Sequence, residues 1–110
     1  MELRGCRYTF ALADVAVKAQ AYGVKVTTQV LDLGQVESAQ VLLDHVQTQH
    51  GRATVLVNNA GVGLVGPTDL ATFSDWDWVN GVNVGGAING VVTILPRILA
   101  HGEGGHIVCT

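Results

Sequence analysis

The chain has 110 residues, 48% of them apolar and 14% charged, with a formal net charge of −3. That length allows one domain at most, the apolar content excludes a disordered polymer, and the lack of a basic cluster leaves a nucleic-acid role without its electrostatic footprint. The 14 glycines against 2 prolines suit tight turns and close backbone contacts rather than a proline-rich linker.

The N-terminal "MELRGCRYTF" has no apolar h-region, so no secretory signal is expected there. Leu12, Val15, Ala16 and Ala19 follow helical spacing, with Asp14 and Lys18 at i,i+4, and Tyr22-Gly23 ends the run. A strand over Tyr8–Ala13 is rejected, because too few residues remain for a parallel crossover of about a dozen. "VKVTTQVLDL" predicts a strand from Val24 to Leu31. Val36, Ala39, Leu43 and Val46 mark one face of a helix that stops near His50-Gly51. "ATVLVN" reads as a short strand, Thr54–Val57, apolar enough to be covered on both faces. Ser74, with Asp77 three residues on, predicts the N-cap of a long helix from Asp75 to Leu99, which Pro96 bends or ends. "GGHIVCT" supplies a last strand, His106–Cys109.

The order α-β-α-β-α-β implies a parallel sheet flanked by helices, one partial domain over residues 1–110. Trp78–Pro96 carries no charge and holds two G-x-x-x-G spacings, Gly81/Gly85 and Gly86/Gly90, but Asn80, Asn83 and Asn89 interrupt it. A buried helix packed closely on a neighbour is therefore preferred to a membrane span. Cys6 and Cys109 match no zinc or redox spacing and are expected to be reduced thiols. The four histidines form no ligand pattern and are expected to be solvated or capping, and no metal site is expected.

"GVGLVG", Gly61–Gly66, matches the G-x-G-x-x-G spacing of a pyrophosphate-binding turn. Such a turn opens a helix at once and has an acid at the tip of the next strand. Here Pro67-Thr68-Asp69 follow, and the next strand comes about 40 residues later, so the pyrophosphate reading is set aside. "NNAG" is more informative. Asn58 and Asn59 leave a strand at its carboxyl end, where open α/β sheets bind ligands. Ala60 and Gly61 have so little side chain that a ligand has room to approach the backbone. A tight turn with the Asn amides bonded to local backbone remains the structural alternative.

Taken together, "LDL" at Leu31–Leu33, "LVNNAG" at Leu56–Gly61, "DWDWVNGVNVGG" at Asp75–Gly86 and "GGHIV" at Gly104–Val108 resemble the short-chain dehydrogenases/reductases. The resemblance runs from about Leu12 onward and implies an α/β fold, a partial Rossmann-type doubly wound parallel sheet with flanking helices. It implies NAD or NADP as cofactor, with Asp32 binding the adenine amino group, the Leu33 backbone facing adenine, and Asn59 contacting a ribose beside Ala60 and Gly61. Asn83 matches the residue that supports a water in the family's proton relay. From the residues alone, Asn83 is a polar group in an apolar helix that needs a partner, or an Asn bonded to backbone at a helix bend.

The family's T-G-x-x-x-G-x-G phosphate turn does not occur in these residues. Its catalytic Ser is expected just after "GGHIVCT", and its Tyr-x-x-x-Lys later still. "MEL" resembles the end of the second strand, with Arg4 where NADP-preferring members often carry a basic residue. Thr54 stands where an Asp is common, and Gly34 replaces the usual Ser/Thr/Asp helix cap, which predicts a less firmly capped helix.

The implied activity is interconversion of an alcohol and a carbonyl by hydride transfer, with a small-molecule carbonyl or alcohol substrate, in the cytoplasm. These residues alone are expected to be inactive. A non-catalytic adenine-nucleotide-binding or regulatory remnant, an incomplete product, and a flavodoxin-like domain are the competing readings. Val84, Ile88, Val91, Val92 and Leu95 offer either a homo-oligomer face on the Asp75–Leu99 helix or ordinary burial against the sheet. In the doubly wound order 3-2-1-4-5, the strands Val24–Leu31 and Thr54–Val57 stand three spacings apart, roughly 14 Å. Either that gap persists and Thr54–Val57 pairs with His106–Cys109, or Val24–Leu31 closes onto Thr54–Val57 in a three-stranded parallel sheet. Closure is expected, because it recovers lost backbone hydrogen bonds.

Overall fold

The structure, a computed structural model, describes residues 2–110, with side chains from residue 11 on. It divides into two compact units, residues 1–30 and 31–110, and each is described by itself.

In the first unit, helix α1 spans Glu2–Gln20. Glu2 and Leu3 of "MEL" are thus helical rather than the end of a strand, because adding residues to a formed helix costs little while a strand end needs a partner; Met1 lies outside the described residues. The side chains of Arg4 and Cys6 lie outside the described residues. Lys18 pairs with Asp14 at 3.4 Å, as their spacing predicts; both are exposed, so the pair contributes only about 0.3–0.5 kcal/mol. Tyr22 and Gly23 donate backbone N–H groups to the Ala19 and Gln20 carbonyls and close the helix.

The segment Val24–Leu31 forms no strand, contrary to expectation. Its β-branched residues favour extended backbone, but β-propensity acts through packing against neighbouring strands. No strand pairs with it among the described residues.

The second unit contains helix α2 (Val36–His50), strand β1 (Val55–Asn58), a 3₁₀ turn (Thr68–Leu70), helix α3 (Phe73–Asn80), helix α4 (Gly86–His101) and strand β2 (His106–Cys109). Strands β1 and β2 pair in parallel, Val55 opposite His106 and Asn58 opposite Cys109. The sheet has two strands, not three: the pairing expected between the strands at Thr54–Val57 and His106–Cys109 is present, and the expected closure by Val24–Leu31 does not occur.

The core lies where α2 and α4 pack on each other and α4 packs on β1. Ala39 and Leu43 of α2 meet Ile94 and Ile98 of α4 there, all buried. Gly90 of α4 is buried against β1: a Cβ on it would lie 2.7 Å from Asn58 Oδ1 and 3.4 Å from Leu56 Cδ2. Only one face of β1 is covered. Leu56 and Asn58 are half-buried, whereas Val55 and Val57 are 54% and 55% exposed, against the expectation of two covered faces.

Helix α2 starts after Gln35, which makes no side-chain cap bond, in line with the weak cap expected without a Ser, Thr or Asp. The long helix begins earlier than expected. Its cap is Thr72, not Ser74, and Thr72 and Asp75 satisfy each other's backbone N–H in a capping box. Pro96 lies inside α4, which continues to His101, so it does not end the helix.

At the amino end of β1, His101 contacts the Ala53 carbonyl through Nε2 at 3.0 Å. Its Nδ1 accepts the Glu103 N–H at 3.2 Å. Arg52 pairs with Glu103 beside it. The Arg52 hydrogen bond, reinforced by its charge, holds the Glu103 carboxyl below its ordinary value of 4.5. Its contribution is present above the ordinary carboxylate range and is lost as pH falls through the lowered value. Both partners are exposed, so salt weakens it.

Leu43 is 1% exposed. Leu43→Ala is expected to cost about 2–5 kcal/mol by cavity formation, read as a lower urea midpoint. Exposed Val36→Ala is expected to stay within about 0.5 kcal/mol.

Candidate functional site

A cleft of about 210 Å³ opens at the carboxyl ends of β1 and β2. Its walls bring together Leu33, Asn59, Ala60 and Asn83 from three separate stretches of the sequence motifs, with Asn58, Asn89 and Thr110 between them. Asp32 and Gly61 adjoin it as chain neighbours of Leu33 and Ala60 but do not line it. A larger groove of about 470 Å³ runs along β1 beside α2; none of the predicted site residues lines it.

The turn after residue 31 is shaped by its aspartate. Asp32 Oδ1 accepts the Gly34 N–H at 3.0 Å, and the Asp32 carbonyl accepts the Gln35 N–H at 3.0 Å. This Asx turn explains why Asp precedes Gly here. Asp32 is exposed, and its second carboxylate oxygen carries no hydrogen bond among the described residues.

The two asparagines at the end of β1 divide their work. Asn58 turns inward and reaches the Ala87 carbonyl at 3.5 Å and Cys109 Sγ at 3.4 Å. Asn59 is exposed in the cleft, and its Oδ1 accepts the Thr110 hydroxyl at 3.1 Å. The Thr110 N–H continues the ladder onto the Asn58 carbonyl at 3.1 Å. Cys109 is a free, exposed thiol.

Between α3 and α4, residues Gly81–Gly85 form a π turn in which the Gly86 N–H reaches the Gly81 carbonyl. Such insertions widen a helix locally and recur at functional sites. Asn83 sits in this turn. Its Oδ1 accepts the Val62 N–H at 2.7 Å, and its Nδ2 donates to the Val62 carbonyl at 2.9 Å. The side chain therefore has the backbone partner its position demands, and it fastens the loop after β1 to the helix. Gly61 is not sterically required beside it, since a Cβ there meets Asn83 Oδ1 only at 3.5 Å.

The "GVGLVG" loop does not open a helix: Gly66 has φ +146 and leads into a 3₁₀ turn at Thr68–Leu70. Phe73–His101 is a 29-residue run long and apolar enough to cross a membrane by length and composition. Its two central asparagines are bonded to loops of its own unit, Asn83 to Val62 and Asn89 to Leu33. No metal-ligating cluster occurs among the described residues.

Sequence reasoning named Asn89 only as a polar interruption of an apolar helix, and the small residues Gly86 and Gly90 beside it were the available clue to its contact with Leu33. Asn58 was placed at the ligand-binding end of the strand but given no role of its own. His101 falls within the solvated or capping role expected of the histidines, since it accepts the Glu103 N–H just past α4.

Asn83→Asp keeps the acceptor for the Val62 N–H but sets a carboxylate against the Val62 carbonyl. Stability is expected to fall by about 1–3 kcal/mol, the cost of an unsatisfied pairing, with faster hydrogen exchange at the Val62 amide. Unchanged exchange there would remove the latch from the account.

Residues 5–110 match the short chain dehydrogenase family. The C alpha-dehydrogenase of Sphingobium sp. (strain NBRC 103272 / SYK-6) is 39% identical over 99 residues, 89% of this chain and 32% of that protein. The crystal structure of a short chain dehydrogenase/reductase from Burkholderia phymatum in complex with NAD is 36% identical, with a TM-score of 0.85 over 92% of this chain and 36% of that one. A metagenomic short-chain oxidoreductase in complex with NADP is 30% identical, with a TM-score of 0.78 over 89% of this chain and 44% of that one. The chain thus spans about a third of the length of the curated relative it matches. Its helices and parallel strands are part of a Rossmann-type α/β fold. The chain belongs to the short chain dehydrogenase family.

Proposed function

We propose that this chain supplies the adenine end of the cofactor site, and the Asn83 support, of an NAD(P)-dependent oxidoreductase that interconverts an alcohol and a carbonyl. The observation that carries the reading is the cleft, which gathers Leu33, Asn59, Ala60 and Asn83 at the carboxyl end of a parallel sheet. The residues fit a nucleotide. Exposed Asp32 offers a carboxylate to an exocyclic amine, the Leu33 and Ala60 backbones line an apolar slot, and Asn59 presents an amide to a sugar hydroxyl. A cleft of 210 Å³ is below the ~300–1,000 Å³ of drug-sized ligand sites, which suits one end of a dinucleotide. The complexes of the two similar structures with NAD and NADP support either cofactor. When bound, the nicotinamide supplies or accepts the hydride. The chain's own residues position its adenine end and, through Asn83, hold the loop after β1. A small-molecule substrate and a cytoplasmic setting go with this reading, without nucleic acid or membrane partners.

The 110 residues contain neither a T-G-x-x-x-G-x-G turn nor a Tyr-x-x-x-Lys pair. A second reading is a non-catalytic nucleotide-binding remnant. A longer reading frame that continues into Ser and Tyr-x-x-x-Lys decides for the enzyme.

Of the five residues named for the homo-oligomer face of the long helix, Val84, Ile88 and Val92 are 55%, 55% and 68% exposed and Val91 and Leu95 are half-buried, while Gly90, Ile94 and Ile98 are buried on the other side of the helix. The exposed stripe supports a homo-oligomer through the long helix.

Two outcomes test these proposals. In calorimetry the purified chain is expected to bind NAD or NADP weakly, in the high micromolar range or above, because the helix N-terminus that normally holds the pyrophosphate is missing. Asp32→Ala is expected to weaken binding further, and no carbonyl panel should show turnover. Submicromolar binding, or binding indifferent to Asp32→Ala, counts against the site. In sedimentation, Ile88→Asp is expected to shift the chain towards monomer; a wild-type chain that is already monomeric rejects the pairing.

A further inference from the structure

Two asparagines interrupt the apolar surface of the long helix near the cleft. Asn83 is accounted for by Val62. Asn89, six residues on, is half-buried, and its Nδ2 donates to the Leu33 carbonyl at 3.2 Å. Gly86, one turn earlier, is buried beneath the same residue: a Cβ there would lie 3.2 Å from Leu33 Cβ and 3.4 Å from the Leu33 carbonyl oxygen. The helix therefore offers a flat spot for the Asp32–Gly34 turn and a donor that fixes its height. The Asp32 bonds to Gly34 and Gln35 shape the turn but connect it to nothing beyond itself. Leu at position 89 would be the better helix former and the better apolar surface. The hydrogen bond to Leu33 is what Asn adds.

We infer that Asn89 is a positioning residue for nucleotide recognition: it docks the Leu33 backbone on α4 and so sets where the Asp32 carboxylate meets the purine. The inference rests on the proposed nucleotide site. It also means that the adenine contact and the Asn83 latch are carried by one continuous helix, so the purine end of the site is registered against the Val62 loop.

The test uses the full chain, AMP as probe, and nicotinamide mononucleotide as a control that cannot contact Asp32 through a purine. Asn89→Leu removes the donor. Asn89→Asp keeps the shape and turns donor into acceptor, which guards against a fold defect special to Leu. Both are expected to raise the AMP dissociation constant about 2–10-fold, the range of one hydrogen bond, with the control probe unaffected. The NOE between the Leu33 side chain and the Gly86 α-protons should weaken, while the Val62 amide shift stays in place. A purely structural role would lower stability but leave the ratio of the two probe affinities unchanged, and that result overturns the inference. If the wild-type chain binds no AMP, the nucleotide reading fails. Asn89 is then judged by the NOE alone: its persistence in both variants overturns the docking of Leu33 on α4 as well, and its loss upholds that docking but not a role in nucleotide recognition.

Discussion

The site exists because helix α4 lies against strand β1 with almost nothing between them. Gly90 leaves so little space that an added Cβ would press on Asn58 Oδ1 at 2.7 Å. That proximity lets Asn58 reach across to the Ala87 carbonyl and the Cys109 thiol, which joins the end of β1 both to the helix and to β2. With Asn58 drawn inward, Asn59 is left facing the cleft, because successive side chains of an extended chain alternate in direction. A larger residue at position 90 would force the helix outward and dissolve this division of roles, even though it would be a better helix former than glycine.

The same helix solves a second problem. An apolar helix normally excludes asparagine, whose amide competes with backbone bonding. Here each central asparagine is answered by a loop: Val62 gives Asn83 both a donor and an acceptor, and Leu33 gives Asn89 an acceptor. The π turn at Gly81–Gly85 inserts one residue into the helical register, and this insertion lies where Asn83 meets the loop after β1. Irregular backbone at this point is thus tied to a specific pair of hydrogen bonds.

The sequence was legible wherever chemistry is local. Helical spacing at Val36–Val46 and the short strands at "VLVN" and "HIVC" emerge where periodicity and β-branching put them, within a residue or so. The cleft residues were legible because their order along the chain is distinctive, not because any one of them is. What failed was non-local or competed at close range. Val24–Leu31 has every local mark of a strand, but a strand needs a neighbour, and none is paired with it among the described residues. Ser74 and Thr72 are both plausible caps; Thr72 wins because Asp75 is spaced to return its hydrogen bond. His101 caps the end of α4, within the solvated or capping role expected of the histidines, while its contact with the Ala53 carbonyl left no pattern in sequence.

The uneven cover of β1 connects these failures to function. Leu56 and Asn58 face the helix, while Val55 and Val57 remain more than half exposed, on a strand whose composition suits burial on both sides. The apolar stripe of Val84, Ile88 and Val92 is exposed in the same way. Both surfaces are apolar and more than half exposed among the described residues. The C alpha-dehydrogenase this chain matches is about three times as long. The carboxyl end of the sheet, by contrast, is completed from within: its polar groups bond to α4 and to the neighbouring loop. The proposed nucleotide site is therefore built from local and helix-borne contacts, and it keeps its geometry while the remainder of the sheet's surface is left open.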